Sequence, residues 1–191
     1  MIKSSLDQLA ETEDIEVVWK SFELRPKNGP QMPPEQEKAY RERIAAAWPR
    51  TSGMARDHFG VEMKHHRWGI NSRLALEGAK FAEEKGFGEA YHEAMFRAHF
   101  VEDRDFGDLQ ILGDLAEEVG LDRTEFVAAI EKGTYAGQVD KDVAQAHAYG
   151  INGVPGTIIQ EKYLVSGAQP LEALQDIVRQ VKAREQGEEG A

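Results

Sequence analysis

The sequence predicts an α/β protein in which a long run of helices interrupts a small sheet. Three observations point there. Residues 15–22 carry a strand pattern, residues 34–133 carry helix signals almost without a break, and residues 151–166 return to a strand pattern before a last amphipathic helix. With 191 residues, 41% apolar and 30% charged, the chain has the composition of a globular protein and the length for one domain, or one domain with a large insertion.

Leu6, Leu9 and Ala10 recur at helical spacing, so residues 1–12 read as a helix that starts without a capping residue. Ile15-Glu16-Val17-Val18-Trp19-Lys20-Ser21-Phe22 is rich in β-branched and aromatic side chains. Ile15, Val17 and Trp19 share one face and Val18 interrupts the polar one, the pattern of a mostly buried strand. Pro26, Asn28, Gly29, Pro30, Pro33 and Pro34 impose a loop over residues 25–34. Pro34 then suits the first turn of a helix running to about Ala47. A separate helix is expected from Pro49 to Phe59, stopped by Gly60.

Asn71 or Ser72 can cap the next helix, with Leu74, Ala75, Phe81 and Ala82 inward and Gly86 as its stop. Residues 89–100 follow as a helix carrying Tyr91, Met95, Phe96 and Phe100 on overlapping faces. Asp105 is read as the cap of another, with Leu109, Leu112, Ala116 and Val119 as its stripe and Gly120 as its end. Asp122-Arg123-Thr124-Glu125 resembles a capping box ahead of Phe126, Val127 and Ile130, and Gly133 closes that helix. Residues 138–149 form one more, ended by Gly150.

There the period changes. Ile151-Asn152-Gly153-Val154-Pro155-Gly156-Thr157-Ile158-Ile159 leads through Gln160-Glu161-Lys162 into Tyr163-Leu164-Val165-Ser166, which reads as two short antiparallel strands. Their turn lacks the usual Asn-Gly or Asp-Gly signal. Leu171, Leu174, Ile177, Val178 and Val181 mark an amphipathic final helix, and residues 184–191 read as a polar, frayed tail. The sheet-bearing domain is thereby assigned residues 1–33 and 134–183, and the inserted helical domain residues 34–133.

The net charge of −11 argues against nucleic acid, because phosphate binding needs a concentrated Lys/Arg surface. The stretch from His58 to Arg67 is the one basic candidate. No apolar run approaches the roughly 20 residues of a membrane span. Met1-Ile2-Lys3-Ser4-Ser5-Leu6-Asp7 lacks the basic start and apolar stretch of a secretory signal, so a cytoplasmic location without a membrane partner is expected. The chain contains no cysteine. That excludes disulfides, thiolate metal sites and any cysteine nucleophile within it.

The stretch Gly150-Ile151-Asn152-Gly153-Val154-Pro155 followed by Tyr163-Leu164-Val165-Ser166-Gly167-Ala168-Gln169-Pro170 strongly resembles the DsbA-like family. Within it the resemblance is to the FrnE-type branch, close to the 2-hydroxychromene-2-carboxylate isomerases and kappa-class glutathione transferases. Trp19-Lys20-Ser21-Phe22-Glu23-Leu24-Arg25-Pro26, Asn71-Ser72 and Phe96-Arg97-Ala98-His99-Phe100 extend the similarity over essentially the whole chain. The C-terminal motif is specific, while each helical stretch is weak alone. The resemblance implies a thioredoxin-like fold with a large all-helical insertion. It also implies a cis bond at Val154-Pro155, whose neighbouring main chain holds an extended peptide or glutathione by strand addition. A simple turn before a strand is the bland reading of Gly153-Val154-Pro155-Gly156.

Two departures from the family pattern stand out. Gly156 replaces the larger residue usual after the proline, which is expected to loosen or enlarge the site. Family members also begin with a strand and a Cys-x-x-Cys or single Ser/Cys loop that opens the first helix. Ile2-Lys3-Ser4-Ser5-Leu6 resembles the middle of that helix, so the first strand and the active-site loop are missing from the pattern. Ser4 and Ser5 lie too far into the helix to sit at its mouth, and no hydroxyl can replace a thiol as an electron carrier. An upstream segment, a partner chain filling the gap, and closure of the remaining strands are the three explanations, the first being favoured.

Candidate substrate-binding residues are therefore Gly153, Val154 and Pro155, with Asn71 as a ligand contact by resemblance and His99 as a group able to exchange protons near neutral pH. Asn71 is equally explained as a cap, and His99 as a hydrogen-bonded core or rim histidine. His58, His65 and His66 lack regular ligand spacing, so exposed histidines are the better reading and no metal is expected. Glu83-Glu84-Lys85 and Glu117-Glu118 read as solvated helix faces. The leading functional reading is a DsbA-like thiol–disulfide oxidoreductase family member that is redox-inactive as given, without cofactor unless glutathione serves. Its rivals are a glutathione-dependent isomerase or transferase, and a non-catalytic peptide-binding or holdase module using the groove between helical block and sheet. An extended peptide or small thiol is the expected partner, and a homodimer is compatible with the sequence.

Overall fold

Small residues decide how closely the helices approach. Ala75, Gly78, Ala79 and Ala82 on one helix leave room for large side chains from its neighbours, and Tyr91, Leu112, Leu115 and Phe126 fill that room, joined by Phe81 of the same helix, with almost no exposure. Each such side chain contributes about 1.5–3 kcal/mol by burial. Phe126 meets Phe81 edge-on at 5.3 Å and lies tilted against Tyr91 at 5.6 Å.

The computed structural model describes residues 2–29, 32–65 and 69–189. In chain order the elements are α1 (Ile2–Thr12), α2 (Pro34–Phe59), α3 (Arg73–Glu84), α4 (Gly88–Phe100), α5 (Leu109–Glu118), α6 (Arg123–Glu131), α7 (Ala136–Ala148), β1 (Gly156–Ile159), β2 (Tyr163–Ser166) and α8 (Leu171–Glu189). The strands pair antiparallel, with Gly156 opposite Ser166 and Ile159 opposite Tyr163. Gln160 and Glu161 both take positive φ in the turn, at 52° and 55°. The left-handed turn thus forms without the Asn-Gly signal.

A second core lies beside the sheet. Leu6 and Leu9 of α1 pack with Leu174 and Val178 of α8, joined by the half-buried Ile15, Val17, Trp19 and Ile159. Residues 15–20 form neither helix nor paired strand among the described residues. This corrects the expectation of a mostly buried strand. Ile15, Val17 and Trp19 are half-buried, whereas Glu16, Val18 and Lys20 are exposed, so the segment is covered on one face only.

Other boundaries differ for identifiable reasons. Pro34 to Phe59 is one continuous helix with Pro49 inside it, not two. The proline withholds its N–H from the carbonyl of Ala45, but Ala45 is exposed and water can serve that carbonyl. Asp108, not Asp105, caps α5, accepting from the Gln110 N–H at 2.8 Å; Asp105 instead accepts from Gly107 one turn earlier. The expected tail continues as helix to Glu189, helped by Lys162 and Tyr163, which both donate to Glu185. Asp122 caps α6 through the Glu125 N–H, and Gly60, Gly86, Gly120, Gly133 and Gly150 follow helix ends with positive φ. Pro30 lies outside the described residues.

A Cβ at Gly78 would lie 2.6 Å from both Phe126 Cζ and Tyr91 Oη, and both rings are fully buried. Gly78→Ala is expected to lower the unfolding free energy by about 1–2 kcal/mol despite its better helix propensity. The measurement is the midpoint of urea unfolding.

Candidate functional site

The loop ahead of β1 is shaped by its ends. Gly150 leaves α7 with φ 73°, and Asn152 Nδ2 donates back to the Gly150 carbonyl at 3.1 Å. The Val154–Pro155 peptide is cis. Gly167 N–H donates to the Pro155 carbonyl at 2.9 Å, tying the loop to the end of β2. Val154 is 56% exposed, and its own main-chain groups have no hydrogen-bond partner among the described residues. Gly153 is open, with nothing within 4 Å of the place a Cβ would take. Gly156 is not: Ile151 Cγ2 would lie 3.2 Å from a Cβ there. Ile151 thus occupies the space beside Gly156.

The other candidates belong to different elements. Asn71 Oδ1 accepts from the Arg73 N–H at 2.9 Å, and its Nδ2 reaches the Arg25 carbonyl at 3.4 Å. It therefore caps α3 and tethers the preceding loop, while Ser72 contributes no side-chain cap. His99 is half-buried at the rim of the helical core, edge-on to Phe100 at 4.6 Å and Phe106 at 4.4 Å. Among the described residues no three His, Asp or Glu side chains are grouped to hold a metal. His65 meets Trp48 edge-on at 5.2 Å, and His66 and Arg67 lie outside the described residues.

A buried polar cluster escaped the sequence reading. Lys80 Nζ lies 2.8 Å from Asp142 Oδ2 and 2.9 Å from Glu83 Oε2, and Asp142 Oδ2 also accepts from the Ser21 N–H at 2.9 Å. Lys20 stands 3.5 Å from the other Asp142 oxygen. His92 Nε2 is 3.6 Å from Glu83, and Trp19 packs edge-on against the His92 ring at 5.7 Å. Glu83 is thus committed to a partner and is not simply part of a solvated face. The one signal available was Lys80 itself, a cation between Ala79 and Phe81 on the inward face of α3. Beside it opens a cleft of about 780 Å³ lined by α1, residues 15–20, Lys80, Glu83 and His92.

The cluster's charges hold one another. Burial disfavours the charged form of Asp142, but the hydrogen bonds from Lys80 and the Ser21 N–H outweigh it and hold the carboxyl below its ordinary 3.8. Burial likewise opposes the Lys80 charge, yet Asp142 and Glu83 raise its pKa. Burial lowers the pKa of His92. Nearby, Arg73 binds Glu23, Glu77 and Asp140 through its guanidinium and the Ala136 carbonyl as well, clamping residue 23 and α7 onto α3.

Comparison with known proteins places this arrangement. The model of the DSBA-like thioredoxin domain matches residues 1–179. The chain belongs to that family. It is 35% identical over 173 residues to the uncharacterized protein YwbO of Bacillus subtilis, covering 87% of this chain and 82% of that one. Among solved structures it resembles a probable DsbA oxidoreductase, SCO1869 of Streptomyces coelicolor, at 28% identity and a TM-score of 0.67, over 95% of this chain and 83% of the other. A 2-hydroxychromene-2-carboxylate isomerase shares the fold, with a TM-score of 0.74 at 16% identity over 97% of this chain and 91% of its own. The DsbA-like thioredoxin fold is thus present in a mostly helical form, with a two-stranded sheet among the described residues. No described helix is long and apolar enough to cross a membrane.

Removing one member of the buried pair strands the other. Lys80→Met is expected to cost about 3–5 kcal/mol at neutral pH, read by urea unfolding. Because the folded Asp142 pKa is depressed, its contribution is present above its unfolded value and lost as pH falls through the lower folded value. Asp142→Asn should therefore be less stable at pH 7 and show a shallower loss of stability on titration from pH 4 downward.

Proposed function

We propose that this DsbA-like chain is the substrate-holding member of a thiol–disulfide system and carries no electron-transferring thiol of its own. The observation that carries the reading is the Val154 main chain, solvent-facing and unpaired among the described residues, on a loop pinned by Gly167. Its free N–H and C=O suit strand addition to an extended peptide, which is held without much reading of its side chains. Glutathione is a short peptide of the same kind, and it brings the thiol that these 191 residues lack. Exchange chemistry at this loop then draws its thiol from the bound substrate or another molecule, because no side chain in the chain can form a disulfide. The family match and the likeness to the Streptomyces coelicolor oxidoreductase support the assignment of substrate class.

The experiment pairs binding with turnover. The chain should not accelerate insulin disulfide reduction by dithiothreitol, yet should bind reduced glutathione or a blocked extended peptide by calorimetry. Val154→Pro, which removes the N–H donor, is expected to weaken that binding about 2–10-fold, the range one main-chain hydrogen bond supports. Val154→Ala, which leaves the main chain intact, should bind as the parent does. Accelerated insulin reduction, or unchanged binding by Val154→Pro, would overturn the proposal.

A further inference from the structure

The outer edge of β2, on the side away from β1, meets no strand among the described residues. Directly opposed residues of an antiparallel pair alternate between those that exchange hydrogen bonds and those that do not. The bond from the Gly167 N–H to the Pro155 carbonyl fixes the phase. Counted along the register, Thr157 with Val165 and Ile159 with Tyr163 are the bonded pairs. Leu164 and Ser166 therefore turn their main-chain groups outward. There the Ser166 carbonyl accepts from Gln169 Nε2 of its own chain at 3.0 Å, and the Leu164 groups have no partner among the described residues. Leu164-Val165-Ser166 carries no charge, proline or bulge, the devices that keep an edge from pairing with another copy.

A groove of about 380 Å³ follows this edge. All four residues of β2 line it and none of β1, and its wall is Ile177, Gln180, Val181 and Arg184 of α8. That wall identifies the occupant. Tyr163 at the start of β2 donates to Glu185 at 3.2 Å, and the chain turns at Gly167 directly into α8, so α8 runs antiparallel to β2. Glu172 and Asp176 lie toward the N-terminal end of α8 and Arg184 toward the other. Glu172 and Arg184 are exposed and have no ion-pair partner among the described residues. A two-fold axis through the edge at Val165 reverses α8 across the groove. It brings Arg184 of one protomer toward the acidic end of its partner's α8, so the surface complements its own inverted copy.

We infer that β2 is a dimer edge: two copies of this chain pair their β2 strands antiparallel about Val165, with α8 against α8 across the groove. Leu164 of each strand then exchanges hydrogen bonds with the partner's Ser166, whose carbonyl keeps a second lone pair for this contact. A lone hairpin is marginal, and joining two of them makes a wider sheet while Ile177 is drawn out of water. Only residues from Tyr163 onward form this surface.

Sedimentation equilibrium of the full chain should show a reversible monomer–dimer equilibrium. Leu164→Pro removes an outward N–H without touching a hairpin bond and should weaken association about tenfold or more. Arg184→Glu, at an exposed position, should weaken it about fivefold at low salt, and adding Glu172→Lys with Asp176→Lys should restore it. Circular dichroism checks the fold of each variant. Because the chain has no cysteine, an introduced thiol reports position without background. Val165→Cys should give a disulfide-linked dimer under copper-catalysed air oxidation, since opposed Cβ atoms at such a pair lie about 4.5–5.5 Å apart. Glu131→Cys, exposed on α6, should not. A chain that stays monomeric, a dimer unaffected by Leu164→Pro or by Arg184→Glu, or cross-linking at residue 165 no better than at residue 131 would each overturn the inference.

Discussion

The ion pair between Lys80 and Asp142 joins parts of the chain that sequence separates widely. Lys80 sits on α3 and Asp142 on α7, and Asp142 simultaneously receives the Ser21 N–H at the end of the extended segment. Three elements therefore meet on one carboxylate. Because Lys80 and Asp142 are both nearly buried, neither charge has water as an alternative partner, and the geometry of the three elements is tightly specified. Arg73 repeats the device one helical stretch away, gathering Glu23, Asp140 and the Ala136 carbonyl onto the start of α3. The position of residues 15–23 against the helices follows from these two polar anchors more than from sheet pairing.

That arrangement leaves main chain available at the loop ahead of β1. At Val154 the loop is tied to the end of β2 by the bond from the Gly167 N–H to the Pro155 carbonyl, and Val154 itself is exposed. Residues 16–20 are held by the Trp19 contacts with His92 and Phe96 and by side-chain packing on α1 and α8. A chain with no thiol can still use a surface such as the Val154 loop, since main-chain hydrogen bonding needs neither redox chemistry nor a cofactor.

Much of the helical architecture was legible. The glycines after the helices, the Asp122 capping box and the apolar faces carrying Tyr91 on α4 and Phe126 on α6 all act through local geometry or through packing that any compact helical block must satisfy. Pro49 misled because a proline breaks a helix only when its orphaned carbonyl has nowhere to go, and exposure on α2 provides water. Asp105 and Asp108 compete for one role, and the backbone turn between them selects the later one. Asn71 caps α3 as its position before the helix suggested.

By itself the sequence determined most of the helices, the hairpin, the family resemblance and the lack of any thiol, because each rests on residue type or on short-range periodicity. Tertiary structure alone decided that residues 15–20 pair with no strand among the described residues, that Lys80 pairs with Asp142, and that His92 lines a cleft with a buried nitrogen lacking a partner among those residues. Those facts depend on which distant groups meet in a medium that excludes water. A buried charge chooses its partner by proximity in space, and no local pattern in the chain encodes that distance.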